Sequence, residues 1–383
     1  MKVGVPKEVK NHEYRVAITP AGVHEFVRNG HEVFIEQGAG VGSSIPDGDF
    51  VAAGGRMLPA TDDVWQTGDL ILKVKEPVAE EYDRMRKDQV LFTYLHLAAS
   101  RACTDALLSS GITAIAYETV QLPDGSLPLL APMSEVAGRM APQVGAHHLQ
   151  RDGGGRGVLM GGVSGVYAAK VVVLGAGVSG MNAAAIALGM QAEVLLLDRN
   201  IARLRQADAI YQGHMQTIAS NSYEIDRAVL DADLVIGAVL VPGAKAPTLV
   251  SNELVSRMRA GSVLVDISID QGGCFEDSHA TTHADPTYRV HDSVFYCVAN
   301  MPGAVPRTST FALTNATMPY VSAVADLGWQ QAISLDHALA AGLTTHRGAI
   351  TNLPVARAHG VDAVDPYSVL GRPVRRLQGS AGR

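Results

Sequence analysis

At 383 residues the chain is longer than one ordinary hydrophobic core serves, so two domains are expected. Hydrophobic residues make up 47% against 18% charged, which excludes a disordered chain. A formal net charge of −7 with no basic stripe excludes a polyanion-binding surface, so no nucleic-acid partner is expected.

From the start of the chain, strands and helices alternate. KVGVP reads as a short, edge-like strand. A helix follows over TPAGVHEFVRN, with Thr19 as N-cap, Pro20 at its first position and Gly30 where it should stop. HEVFIEQG, DLILKVK (69–75), VLFTYLH (90–96) and ITAIAYE (112–118) read as strands, with a helical SRACTDALLSSG before the last. Such alternation implies a parallel-rich α/β sheet. Lys75, His96 and Glu118 each close one of these runs. In open α/β sheets the ligand crevice lies outside the carboxyl ends of the strands, which gives these three polar residues a functional reading. Their plain reading is that charged residues mark where strands leave the core.

A long helix is expected from Ser134, SEVAGRMAPQVGAHHLQ, capped by that serine and interrupted at Pro142. His147 and His148 are adjacent and so face different ways, which argues against a shared metal. The loop RDGGGR (151–156), like RPVRR (372–376), reads as solvated surface.

VVVLGAGVSG (171–180) then places Gly175, Gly177 and Gly180, with Val178 and Ser179 between the last two, in G-x-G-x-x-G spacing after an apolar strand. The first glycine permits the tight turn, the second lets backbone approach a pyrophosphate, and the third lets helix and strand pack closely. The helix N-terminus offers free N–H groups and partial positive charge. The next strand, AEVLLLD, ends at Asp198, 18 residues past Gly180. A carboxylate there accepts from the adenosine ribose and repels a 2′-phosphate, so NAD is favoured over NADP. Arg199 and Arg203 weaken that preference slightly. Further strands end at Val239–Leu240, at Ile267, Ser268, Ile269 and Asp270, and at Val298, Ala299, Asn300 and Met301. These ends are expected to line one crevice.

Three cysteines, Cys103, Cys274 and Cys297, lack paired spacing, so neither a disulfide framework nor a zinc site is expected. The start MKVGVPKEVKNHEYR has no apolar signal core, and no window approaches the roughly 20 apolar residues that span a bilayer. A cytoplasmic, membrane-free protein is the expectation.

The segments VGVPKEVKNHEYRVAITPAGV, LKVKEP, FTYLHLA, LLAPMSEVAGRMA, LGAGVSGMNAA, DLVIGAVLVPGAKAP, VLVDISIDQGGCFE and CVANMPGAVPRTST together resemble the alanine dehydrogenase family, which includes the nucleotide-binding subunit of proton-translocating transhydrogenase. The resemblance runs from Met1 to about Tyr320. It implies two doubly wound, Rossmann-like α/β domains, with an NAD domain (129–306) inserted into a discontinuous substrate domain (1–128 and 307–383). It implies interconversion of L-alanine and NAD with pyruvate, ammonium and NADH, and a homohexamer. By position in the matched motifs, Arg15 and Lys75 resemble the pair that binds carboxylate and carbonyl, and His96 and Asp270 the acid/base residues. Ser134, Asp198, Arg203, Ser220, Val239, Leu240 and the two later strand ends fall at cofactor contacts.

The chemistry explains why such residues are wanted. A guanidinium fork fixes a carboxylate. Loss of hydride from the α-carbon leaves an iminium that water attacks, and the carbinolamine must gain a proton on nitrogen and lose one from oxygen. Histidine is the side-chain type suited to proton exchange near neutral pH, which is what His96 would supply, and a crevice-buried Asp270 would orient water or share its proton. Lys75 would polarise the keto oxygen of pyruvate. Taken alone, Arg15 reads as a surface arginine; in matched motifs all four are expected to line one active site. The competing reading is a transhydrogenase-like subunit that passes hydride to a nucleotide held by a partner, against which His96 and Asp270 argue. Glyoxylate is expected as a side substrate, because one methyl is worth only about 1–3 kcal/mol of discrimination. His279 stands where the family carries arginine near the cofactor. YVSAVADLGW has no acid–histidine pair at i and i+4, so no metal is expected there. Beyond about residue 345 the sequence is uninformative, with a disordered end.

Overall fold

The computed structural model describes residues 1–239, 246–370 and 376–377. The chain divides into two compact units, Met1–Pro132 with Val305–Arg383, and Met133–Ala304.

The first unit opens with six parallel strands: β1 (Lys2–Val5), β2 (Glu32–Glu36), β3 (Arg56–Leu58), β4 (Leu70–Leu72), β5 (Val90–Thr93) and β6 (Thr113–Ala116). They lie in the order β6-β5-β4-β1-β2-β3. The chain thus lays strands outward from β1 in one direction, then starts again at β4 on its other side. β1 is therefore an interior strand, contrary to the edge-like reading of KVGVP; Val3 and Val5 are fully buried, as an interior strand of a covered parallel sheet requires. The helix Pro20–Arg28 forms as its caps dictate, with the Thr19 hydroxyl accepting from the Gly22 N–H at 3.4 Å. DLILKVK is regular only over β4; past it the pairing continues loosely, with Lys73 N–H to the Phe92 carbonyl and Tyr94 N–H to the Val74 carbonyl, both 3.3 Å.

The second unit begins within the helix Ala131–Leu149. That helix starts three residues before the expected cap, so Ser134 sits inside its first turn. It runs through Pro142; His147 is exposed, while His148 is buried and bonded through Nδ1 to the Gly153 carbonyl at 3.1 Å. The strands are β7 (Lys170–Leu174), β8 (Glu193–Asp198), β9 (Gln216–Ala219), β10 (Leu234–Gly237), β11 (Val263–Asp266), β12 (Thr287–Val290) and β13 (Ser293–Tyr296). Among the described residues they form one sheet in the order β12-β13-β11-β10-β7-β8-β9, parallel except for β12. Val171 and Val173 pack into one core layer, Val172 and Leu174 into the other. That two-residue alternation, buried on both faces, is why VVVL reads as an unbroken apolar run.

The chain then returns to the first sheet, through the helix Pro306–Leu327. It adds β14 (Leu343–His346), β15 (Ala349–Ile350), β16 (Ala363–Val364) and β17 (Arg376–Leu377) beyond β6, β14 running antiparallel to it. The segment past residue 345 is thus part of a sheet. Polar residues such as Thr345, which is fully buried, hid it from a hydrophobicity reading. The expected disordered end falls outside the described residues, as does RPVRR up to residue 375. All three cysteines are free and buried. Among the described residues no helix is long and apolar enough to cross a membrane.

Candidate active site

In each sheet the winding reverses between two neighbouring strands, β1 and β4 in the first unit and β7 and β10 in the second. Loops leaving such a pair diverge to opposite faces and open a crevice at their carboxyl ends. The residues singled out from the sequence gather at these two edges.

In the first unit, Arg15 lies on the loop after β1, Lys75 just past β4, His96 past β5 and Glu118 past β6. Arg15 is only 2% exposed, not a surface arginine. Glu13 grips it, taking Nε on one carboxylate oxygen at 2.6 Å and Nη2 on the other at 2.5 Å. Burial alone would push the Glu13 carboxyl up; the hydrogen bonds and charge of Arg15, with a smaller contribution from Lys75, more than offset it and hold it below the usual carboxylate range. The fork is thereby fixed and charged. Lys75 is half-buried.

His96 adopts a left-handed backbone, φ 47° and ψ 37°, which costs a non-glycine residue about 1–2 kcal/mol. Glu118 compensates: its carboxylate accepts the His96 N–H at 2.6 Å and the Leu95 N–H at 3.2 Å. The imidazole is left 40% exposed and stacked parallel to Tyr94, with centroids 5.9 Å apart. Tyr94 is itself pinned by donating to the Leu129 carbonyl at 2.6 Å. An exposed histidine on a locked turn can exchange protons with whatever enters the crevice.

In the second unit the three glycines of the turn show three different constraints. Gly175 has φ +106°, and a Cβ there would meet the Ala238 carbonyl oxygen at 2.6 Å. A Cβ on Gly180 would lie 1.7 Å from the Gly175 carbonyl oxygen, so strand and helix touch backbone to backbone. At Gly177 a Cβ would meet nothing nearer than the Arg203 Nη1, at 4.0 Å. The space above the turn is therefore open at the start of the helix Val178–Gly189, which is the cradle a pyrophosphate needs. Asp198, at the end of β8, accepts the Ala176 N–H at 2.6 Å and the Asn200 N–H at 2.7 Å. Two bonds leave about half of the roughly four lone-pair directions of a carboxylate for ribose hydroxyls. Arg203 approaches the same carboxylate at 3.8 Å. These features fit a dinucleotide.

The other residues of this edge fall on neighbouring strand ends. Ser220 follows β9 and donates its N–H to the Asp198 carbonyl at 3.0 Å. The Val239 carbonyl, past β10, accepts from the Ser268 hydroxyl at 2.8 Å. Leu240 lies outside the described residues. Ser134 is half-buried near the point where Gly138 packs so closely on the Ser179 carbonyl that a Cβ would come within 2.2 Å. Past β11 the short 3-10 helix Ile267–Gln271 buries Ser268 and Ile269 and leaves Asp270 exposed, not enclosed as the sequence reading supposed. Val298 and Met301 are buried, so side chains of this strand end face inward; Ala299 and Asn300 are half-buried, and Asn300 has φ 63°. His279 stacks on Tyr288 with centroids 3.7 Å apart, and its backbone N–H donates to the Tyr288 hydroxyl at 3.0 Å.

Sequence reasoning missed several buried groups. Asp266 is fully buried and holds the loop that bears Asp270, accepting from Ser268 N–H at 2.9 Å, Cys274 N–H at 2.8 Å and the Ser278 hydroxyl at 2.5 Å. Burial pushes its carboxyl up against these bonds. Lys73 is fully buried between Glu8 and Glu81. A lysine inside the run LILKV is a usable signal, since a buried ammonium demands anionic partners. Glu13, two residues before Arg15, carried no such mark.

Two doubly wound α/β units, one with an open glycine turn against an acid-ended strand, define a two-domain protein of the dinucleotide-binding class. Residues 4–137 match the family description "Alanine dehydrogenase/PNT, N-terminal domain" and residues 141–353 match "Alanine dehydrogenase/PNT, C-terminal domain". The chain belongs to the alanine dehydrogenase/PNT family. It is 65% identical over 370 residues, 97% of its length and 100% of the relative's, to an alanine dehydrogenase of Mycobacterium tuberculosis. To that of Halomonas elongata it is 56% identical, over 97% of this chain and 100% of the other. Among solved structures, an L-alanine dehydrogenase superposes with TM-score 0.91 at 51% identity, over 94% of this chain and 99% of that one. A transhydrogenase from Sinorhizobium meliloti superposes with TM-score 0.78 at 27% identity, over 92% of this chain and 99% of that one.

Proposed function

We propose that this protein is an NAD-dependent L-alanine dehydrogenase: L-alanine, NAD⁺ and water give pyruvate, ammonium, NADH and a proton, reversibly. The observation that carries this reading is 65% identity, over essentially full length, to a protein of that name. The transhydrogenase-like alternative has weaker support, at 27% identity.

Arg15, charged and held by Glu13, binds the substrate carboxylate through its planar fork. Lys75 neutralises charge on the keto oxygen as ammonia adds and that oxygen becomes the carbinolamine hydroxyl, which then leaves as water. His96 exchanges a proton with the attacking or departing water, and Asp270 orients that water. When bound, the nicotinamide ring accepts or donates the hydride. Gly175, Gly177, Val178, Ser179 and Gly180 hold the pyrophosphate through backbone N–H groups. Asp198 takes the adenosine ribose and disfavours a 2′-phosphate, which selects NAD; Arg203, drawn toward Asp198, is less free to receive one. Ser134, Ser220, Val239, Leu240, Ile267, Ser268, Ile269, Val298, Ala299, Asn300 and Met301 complete the cofactor contacts. Residues 129–306 act as the cofactor domain and residues 1–128 with 307–383 as the substrate domain. The working assembly is a cytoplasmic homohexamer, and glyoxylate is a side substrate.

The test is loss of NADH absorbance on mixing purified protein with pyruvate and ammonium, with ammonium omitted and with glyoxylate replacing pyruvate as controls. Oxidation that requires ammonium is expected. NADH binding by fluorescence without any turnover would overturn the reading in favour of hydride transfer to a partner-held nucleotide.

A further inference from the structure

The two segments that carry Arg15 and Lys75 leave the first sheet from the neighbouring strands β1 and β4, where its winding reverses. Chains diverging from such a point have no ladder to hold them together. Two side-chain links tie them: near the surface the Lys10 ammonium donates to Glu76, the residue after Lys75, and deeper in the fold Glu8 makes the buried link. Glu8, on the Arg15 segment, accepts the Val74 N–H at 2.6 Å on one oxygen and the Lys73 ammonium at 3.2 Å on the other. Val74 is the residue next to Lys75. From the far side Glu81 takes the same ammonium at 2.8 Å and, with its second oxygen, the Val78 N–H at 3.1 Å, closing the segment 73–81 on itself. On the Arg15 side the Glu13 N–H bonds the Lys10 carbonyl at 3.0 Å, so residues 8 to 15 turn back compactly to the Glu13–Arg15 pair.

This tie is built of charge where apolar packing was available. Lys73 and Glu81 are fully inaccessible and Glu8 nearly so. A buried triad of this kind adds little net stability over an apolar trio of similar volume, because desolvation consumes the attraction. What it adds is direction: donors and acceptors meet along fixed lines, as apolar contacts do not. Burial pushes the Glu8 carboxyl up and the Lys73 charge offsets this only in part, so it stays above the usual carboxylate range.

We infer that Glu8 is a positioning residue, whose carboxylate fixes the spacing between the Arg15 and Lys75 segments and thereby sets affinity for the carboxylate–carbonyl unit of the substrate. The inference rests on the roles proposed above for Arg15 and Lys75. It assigns no contact between Glu8 and substrate.

The experiment uses the full-length enzyme carrying Glu8→Gln, which keeps the shape and, with its amide oxygen on the Val74 N–H, replaces the acceptor for the Lys73 ammonium with an NH2 donor. KM for pyruvate should rise about 10-fold, since displacing binding groups by a fraction of an ångström to 1 Å costs about that much or more. KM for NADH should stay within about 2-fold and kcat within about 3-fold, a split that general loosening of the fold does not produce. Glu81→Gln, which weakens the same ammonium from the other side, should act in the same direction at about 3-fold, and it decides the matter if Glu8→Gln does not fold. Unchanged KM for pyruvate in the soluble variants, or parallel rises for pyruvate and NADH, would overturn the inference. Arg15→Lys is measured alongside. If it leaves KM for pyruvate at the wild-type value, the site assignment itself fails; if it raises KM while Glu8→Gln does not, only the role of Glu8 fails.

Discussion

Where the first sheet reverses its winding, the protein places charged side chains fixed by other charges: Arg15 by Glu13, and Lys73 beside Lys75 by Glu8 and Glu81. Where the second sheet does so, it places glycines and backbone amides, with one carboxylate, Asp198, at the neighbouring strand end. The ligands explain the difference. A pyrophosphate is large and diffuse in charge, and a row of N–H groups at a helix N-terminus meets it without any side chain. A three-carbon keto acid offers one carboxylate and one carbonyl, so discrimination needs forked and pointed cations at set positions. One edge depends on the absence of side chains, the other on their support.

That contrast can be broken at its sharpest point by Gly180→Ala. The added methyl meets backbone, which cannot rotate away, so the cost is about 3 kcal/mol or more. NADH affinity measured by fluorescence should fall by more than about 100-fold, with a lowered thermal midpoint. Wild-type NADH binding in this variant would mean that the turn does not hold the cofactor.

His96→Ala and Asp270→Asn test the chemistry on each edge separately. Each should lower turnover by about 100-fold while leaving NADH binding nearly intact, the scale expected for loss of an acid/base group. Normal turnover in either variant would remove that residue from the mechanism.

The smallest effect is expected at Asp198→Ala. It removes the ribose acceptor but keeps the glycine turn, so KM for NADH should rise about 10-fold with kcat little changed. Parity between NADH and NADPH in the variant would sharpen the comparison, because it would show the one side chain of the cofactor edge acting as the selector. Unaltered NADH affinity would leave the whole edge to backbone.

Much of this was legible beforehand because the signals are local. The caps of the helix Pro20–Arg28, the glycine spacing at 175–180 and the acid at 198 depend on residues within about one element of each other. Where apolar runs stop placed Lys75, His96 and Glu118 just beyond strands, although β4, β5 and β6 end earlier, at Leu72, Thr93 and Ala116. What could not be read was pairing across distance. KVGV reads alike at an edge or in the middle, and only its neighbours β2 and β4 make it interior. The strands after residue 343 add to a sheet begun more than two hundred residues earlier, with buried threonines in place of an apolar pattern.

The support of the site belongs to this second class. That Glu118 would bond the backbone of His96, or Glu8 that of Val74, follows from strand order and not from spacing in the chain. The sequence by itself determined which chemical groups the protein owns and the local turns that present them, since backbone preference and hydrogen-bonding capacity are properties of single residues and near neighbours. The tertiary structure alone decided which buried charges compensate one another, because an ion pair is set by distance in space, and distance in space is what folding fixes.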